Sequence, residues 1–268
     1  KSNLALRLAE HLNGSIVNGD AIQVYQDLTV LSARPTEKEM RQIPHYLYGE
    51  VDAWSTGSLS DWLQRIQTVV PTLENPIVVG GTGLYLDALI NGISPIPDVT
   101  PDIRQKVRQL SLEEVRRNVR ECPFSDPQRM RRAYEVQLST GKPLSYFYTL
   151  PKKKVIDADF QLIHVLPPRD DVYARCDRRF DEMLRQGAIE EVRHLMKINA
   201  TGGVLKAIGL REIRAYLLHE LSREEMRQKA MTVTRQYAKR QFTWFRHHGP
   251  SAHLVEDVLK VNFQDITK

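Results

Sequence analysis

Long apolar runs are missing from this chain. No stretch approaches the ~20 consecutive apolar residues that a helical membrane span needs, so no membrane association is expected. Cysteine is scarce, with Cys122 and Cys176 the only two. Neither sits in a CxxC pair or near a second thiol or histidine at zinc-ligand spacing, so no thiolate metal site is expected. Two ordinary thiols of a reducing compartment are the simpler reading. No secretory pattern opens the chain, and a cytoplasmic protein is expected. Internal repeats are absent. The nearest approach to low complexity is Lys152-Lys153-Lys154, which reads as a solvated loop.

What is present is ordinary globular material: 268 residues, 41% hydrophobic and 26% charged. That length allows one large domain, or a core with a smaller insert. The net charge of +5 and the pI of about 9.1 suit a polyanionic partner without naming one. The cations are grouped: Arg129, Arg131 and Arg132; Lys152 to Lys154; Arg175, Arg178 and Arg179; Arg235, Lys239 and Arg240.

Periodicity organises the rest. Apolar residues at helical spacing predict a helix over 3–12, stopped by Gly14. Residues 15–18 read as a strand ended by Gly19-Asp20. A helix is predicted over 59–73, opened by Ser60-Asp61. Pro76 to Val79 is a continuous apolar run, the pattern of a buried parallel strand. It enters Gly80-Gly81-Thr82-Gly83 and a helix over 84–90. Strand, glycine turn and helix form the unit of a doubly wound α/β fold. From Pro95 the pattern changes to basic helices over 102–110, 112–120 and 126–140, the last stopped by Gly141. Strand character returns at 160–165, followed by helices over 172–186, 189–196, 211–219 and 223–245. The expected division is a core of 1–97 and 158–268 with a helical insertion at 98–157.

Several short motifs carry chemistry. Lys1-Ser2 before a helix matches the tail of G-x-x-x-x-G-K-[ST], whose glycines would precede residue 1. In such a loop the lysine and backbone N–H groups hold a diphosphate, and the hydroxyl binds Mg2+. Asp20 ends a strand of an α/β sheet, where ligands bind. It can be a base or metal ligand, or a turn or capping aspartate. Gly80-Gly81-Thr82-Gly83 lets a phosphate approach the backbone, with Thr82 as a hydroxyl donor; a tight turn with a threonine cap gives the same pattern. Gln128 to Arg132 at a helix start suit phosphate or base contacts, or a solvated basic face. Lys206 to Glu212 form a further polar-basic cluster. In 234–244, Arg235, Lys239 and Phe242 lie roughly on one side of a helix, and Tyr237, Phe242 and Trp244 suit either stacking on nucleic acid or core packing.

Taken together, these segments resemble the tRNA dimethylallyltransferase (isopentenylpyrophosphate transferase) family. The resemblance runs through nearly the whole chain. It rests on Lys1-Ser2, Asp20 to Tyr25, Pro44-His45, Gly80 to Tyr85, Asp126 to Arg129, Lys206 to Gly209 and Thr234 to Trp244, all in order. The stretch between Glu121 and Ser125 is shorter than the family's. The resemblance implies a P-loop-like parallel sheet core flanked by helices, with a mainly helical insertion that grips tRNA. It implies dimethylallyl diphosphate as donor, N6 of adenosine 37 in the anticodon stem-loop as acceptor, Mg2+ as cofactor and a monomer.

Carried over by motif, Asp20 is the expected general base and Thr82 the second catalytic residue. Lys1, Ser2, Thr82 and Arg179 are expected to hold the diphosphate, Ser2 also serving the metal. Asp20, Ala21, Ile22, Gln23, Arg104, Gln128, Arg129, Met130, Arg131, Arg132, Lys206, Ala207, Ile208, Gly209, Leu210 and Arg211 are expected at tRNA, with Thr234, Arg235 and Gln236 lining the same site. Competing readings are an adenylate dimethylallyltransferase, a P-loop small-molecule kinase and a non-catalytic RNA-binding module. The basic insertion disfavours the first, and the pairing of Asp20 with Thr82 disfavours the last.

Overall fold

The computed structural model describes residues 1–248, 253–257, 261 and 263; residues 249–252, 258–260, 262 and 264–268 of the expected core lie outside these. Three strands, β1 (Ser15–Asn18), β2 (His45–Tyr46) and β3 (Pro76–Val79), form a parallel sheet in the order β2-β1-β3. Strand β1 is central, and its Ile16, Val17 and Asn18 are buried. Strand β3 pairs along one edge and is half-buried rather than fully buried as its apolar run suggested. Among the described residues it has a partner on one side only.

Helix α1 (Ser2–Leu12) turns Leu4, Ala5, Leu8 and Ala9 inward. Each buried leucine contributes about 1.5–3 kcal/mol. Helix α2 (Glu37–Gln42) escaped the periodicity reading, being short and without a buried residue. Its start is marked instead by a capping box of Thr36 and Glu39, two reciprocal hydrogen bonds that satisfy otherwise orphaned N–H groups. Helix α3 (Leu59–Val69) is capped by Ser58 with Asp61, Ser58 lying two residues before the expected Ser60. It gives way to a 3-10 turn over 70–72, where Pro71 lacks the N–H that would continue it. Helix α4 (Gly83–Asn91) follows β3 across the glycine turn.

Two compact units result: Lys1–Asp87 with Ile156–Lys268, and Ala88–Val155. The second is helical, with α5 (Pro101–Gln109), α6 (Leu112–Asn118), α7 (Pro127–Thr140) and α8 (Leu144–Tyr148). Val99, Ala133, Val136, Leu144 and Phe147 form one core cluster. Val107, Val115 and Met130 form another. Asp126 caps α7 through Arg129 N–H at 2.8 Å, and Gly141 ends it at φ 73°, a conformation glycine reaches without a Cβ penalty.

The first unit continues with β4 (Ile163–Val165), α9 (Arg169–Arg185), α10 (Ala188–Lys197), α11 (Leu210–Leu217), α12 (Arg223–His248) and β5 (His253–Val255). β4 and β5 pair in parallel as a separate two-stranded sheet. Residues 160–162, expected as strand, are coil, and α9 starts three residues before the expected Val172. The first turn of α9 carries Asp170 and Asp171, favourable near the positive end of the helix dipole. Helices α9 and α12 are tied by two arginine–aspartate pairs. Arg227 holds Asp181 at 2.6 and 2.8 Å through two nitrogens, and Arg235 holds Asp177 at 2.7 and 2.9 Å.

Candidate active site

The residue after β1 is held by an asparagine. Among the described residues, Asn18 is the one fully buried polar side chain, and every hydrogen bond it makes shapes the turn. Its Oδ1 accepts the Asp20 N–H at 2.8 Å. Its Nδ2 donates to the carbonyls of Asp20 and Leu47, both at 3.0 Å. The Asn18 carbonyl in turn accepts from the Trp62 indole at 2.8 Å. Burying an amide requires that it be fully hydrogen-bonded, so the strand end is rigid and Asp20 is presented in a fixed place. One Asp20 oxygen, Oδ1, accepts the Ile22 N–H at 2.9 Å. The aspartate is thus part of the turn it was weighed as, as well as a carboxylate beside the site.

The glycine turn meets this loop directly. Thr82 Oγ1 accepts the Ala21 N–H at 3.1 Å. Gly80 lies against Gly19 so closely that a Cβ would collide with the Gly19 carbonyl. Gly81 faces the tips of Lys1 and Gln241, and Gly83 faces the Trp244 ring. Bare backbone here is what lets side chains from α1 and α12 reach the strand ends.

Lys1 and Arg179 converge on the same place. As whole residues both keep solvent-exposed surface, yet the charged groups at their tips are crowded by protein. That desolvation lowers the Lys1 pKa; the charge of Asp20 opposes the shift and that of Arg179 adds to it. Desolvation likewise lowers the Arg179 pKa, against the pull of Cys176 and Asp20. Tyr48, Tyr85 and Tyr237 are each raised mainly by burial, with the charge of Asp20 contributing. Lys1, Asp20, Thr82 and Arg179, separated by up to 178 positions in sequence, therefore sit in one another's fields. Two crowded cations beside a single carboxylate make a site that an anion would stabilise. Ser2 opens α1 as its first helical residue and is exposed.

Other expected site residues are placed as follows. Gln23 is turned to its own loop, its amide donating to the carbonyls of Ser32 and Ala33 at 3.0 and 2.8 Å. Ala21 and Ile22 are half-buried in the same loop. Lys206 and Arg211 are exposed, while Ala207, Gly209 and Leu210 between them are buried and Ile208 is partly so. Gly209 takes φ 88° against Phe180 and Leu31. Thr234 bonds the Ala230 carbonyl within its own helix, Gln236 is exposed, and Arg235 is engaged with Asp177. In the helical unit Arg104, Gln128 and Arg129 are exposed. Arg132 reaches Glu135 at 3.4 Å. Met130 is core, and Arg131 donates to the Val107 and Leu110 carbonyls at 2.5 and 2.9 Å.

Asn18, Tyr237 and Gln241 went unassigned in the sequence reading. The signal for the last two was a face: Tyr237, Gln241 and Trp244 recur at i, i+4 and i+7 on α12.

A parallel α/β core whose strand ends gather a lysine, an arginine, a threonine hydroxyl and a carboxylate defines a P-loop-like group transferase. Comparison with known proteins narrows that class. A family model described as IPP transferase matches residues 23–248. A tRNA dimethylallyltransferase of Rhizobium etli is 42% identical over 266 residues, covering 92% of this chain and 90% of the relative. One of Zymomonas mobilis is 40% identical, covering 92% and 84%. Among solved structures, tRNA delta(2)-isopentenylpyrophosphate transferase from Staphylococcus epidermidis has a TM-score of 0.68 and 28% identity, over 98% of this chain and 91% of that one. A eukaryotic dimethylallyltransferase acting on tRNA shares the fold, with a TM-score of 0.82 at 24% identity, over 97% and 72%. The chain belongs to the IPP transferase family and is a prenyl transferase.

Proposed function

We propose that this enzyme transfers a dimethylallyl group from dimethylallyl diphosphate to N6 of adenosine 37 in the anticodon stem-loop of tRNA, releasing diphosphate. The observation that carries the reading is the convergence of Lys1 on Gly81, beside Thr82 and the Asp20 loop at two adjacent strand ends, with Arg179 near enough for its charge to act on Lys1. A diphosphate offsets the cost of crowding those cations, and a carboxylate next to it is where the acceptor amine must come.

In the reaction the bond between C1 of the donor and its bridging oxygen breaks as N6 bonds to C1. The adenine amino group is a poor nucleophile because its lone pair is drawn into the ring. Asp20 orients it and takes its proton as the new bond forms. Negative charge grows on the departing oxygen, and Lys1, Arg179 and the Thr82 hydroxyl stabilise it. Thr82 already accepts from Ala21, so its own proton can be directed to a donor oxygen. Asn18 holds the Asp20 backbone still through this.

Among the described residues no group of three or more His, Cys, Asp or Glu could hold a metal alone. Mg2+ takes one or two protein oxygens and completes its shell with water and substrate phosphates. The Ser2 hydroxyl is the protein oxygen we assign to it. When bound, the ion neutralises charge on the diphosphate.

The acceptor base must leave its stack to reach Asp20. The basic helical unit, with Arg104, Gln128, Arg129 and Arg132, is assigned to gripping the tRNA backbone, together with Lys206 and Arg211 of the first unit. A cytoplasmic monomer suits this role. The reading predicts that diphosphate release requires both dimethylallyl diphosphate and tRNA, and that ATP does not replace the donor. Phosphate transfer from ATP without prenyl transfer would replace it with the kinase reading.

A further inference from the structure

Helix α12 lays one face on the glycine turn. Trp244 packs over Gly83. The Gln241 amide Nε2 donates to the Gly81 carbonyl at 2.8 Å, and its Oε1 accepts from the Lys1 ammonium at 3.4 Å. Burial raises the Tyr237 pKa, and the side chains of Gln241 and Thr82 pull it partly back. A Cβ on Gly81 would meet the tips of Gln241 and Lys1 together, so the two side chains converge over the same glycine. One amide therefore joins the turn's backbone to the lysine, and α12 to both.

We propose that Gln241 is a positioning residue for the donor site: it fixes the Lys1 ammonium over the 80–83 turn, where it can face a diphosphate. The inference deepens the proposed function and rests on it. A lysine tip has three rotatable donors on a flexible four-carbon stem. Holding it in place removes an ordering cost that the incoming anion would otherwise meet. An amide suits the task because its two ends differ. One end accepts from the ammonium without neutralising it, as a carboxylate would, and the other donates to a carbonyl.

The test is a double-mutant cycle on affinity for inorganic pyrophosphate, measured by calorimetry with Mg2+ on the whole chain. The variants are Gln241→Met, which keeps the length and loses both hydrogen bonds, Lys1→Met, and the two combined. If Gln241 acts through Lys1, Gln241→Met weakens pyrophosphate about 10-fold. Lys1→Met weakens it more, and the double variant matches Lys1→Met within about twofold. Gln241→Glu should also weaken binding while folding normally, since its carboxylate pairs with the ammonium in place of the anion. Multiplicative losses in the cycle, or unchanged affinity in Gln241→Met, overturn the inference and leave the functional reading standing. A wild-type protein that binds no pyrophosphate overturns both.

Discussion

Alanine at Gly80 and alanine at Gly81 should fail in different ways. A Cβ at residue 80 lands inside the Gly19 peptide, with the Gly19 Cα 2.8 Å away. Gly19 cannot retreat, because its N–H donates to the Val79 carbonyl at 2.8 Å and Asn18 pairs with Val79 in the β1–β3 register. Relieving the overlap means parting β3 from the central strand β1 at their C-terminal ends. Overpacking of this kind costs about 1–3 kcal/mol and sometimes more. At ~3 kcal/mol, and about 2–4 °C per kcal/mol for a chain of this size, Gly80→Ala should lower Tm by roughly 6–12 °C. At residue 81 the obstacles are the tips of Gln241 and of Lys1, the latter 2.8 Å away. Both can swing aside. Gly81→Ala should therefore shift Tm by no more than about 2 °C, while moving the lysine off the donor site and weakening pyrophosphate about 10-fold. Thermal melts by circular dichroism and pyrophosphate calorimetry on the same preparations give both numbers. A Gly81→Ala protein that melts as early as Gly80→Ala yet binds pyrophosphate normally would refute the reasoning.

Other outcomes follow from single residues. Asp20→Asn should lower kcat by roughly 10²–10⁴ while leaving the affinity for a non-reactive diphosphate analogue unchanged; lost analogue binding would make Asp20 a metal-site residue. Thr82→Ala should lower kcat and weaken the analogue as well, which equilibrium binding checks. Arg129→Ala should weaken tRNA binding and reduce the log–log salt slope by about 0.7–0.9. Arg131→Ala, which loses bonds to two carbonyls of α5 and its cap, should instead lower stability by roughly 1–2 kcal/mol, seen in denaturant melts. The Asp181 pKa is lowered first by its hydrogen bond from Arg227. Its contribution to stability is therefore full above its ordinary value of 3.8 and lost as pH falls through the lower folded value. Asp181→Asn should lower Tm at neutral pH, change it least at the acid end, and so flatten that limb of the Tm–pH curve.

Strands β1 and β3 and the glycine turn were readable because each lies within a short stretch. A continuous apolar run, a glycine string and a helical period need no knowledge of the rest of the chain. The start of α7 near Asp126, and its stop at Gly141, were readable for the same reason. Short elements without an apolar face, such as α2 and the two-residue β2, carry too little periodicity to register. The local sequence also cannot say which charges are already engaged. Arg131 and Arg235 read as members of basic clusters, yet one caps α5 and the other pairs with Asp177. Gln241 reaches Gly81 across 160 positions, and only its place on the face with Tyr237 and Trp244 hinted at a shared task. Asn18 ends the predicted strand over 15–18, but its part in setting the Asp20 turn depends on Leu47 and Trp62 from other segments.

The central claim is the transfer of a prenyl group to tRNA. It is tested most directly by incubating the enzyme with labelled dimethylallyl diphosphate, Mg2+ and a mixture of tRNA and AMP, then digesting the tRNA and separating its nucleosides. The account predicts label in tRNA as N6-(dimethylallyl)adenosine, confined to position 37, and none in AMP. Label in AMP, or at another base or position of the tRNA, would contradict it.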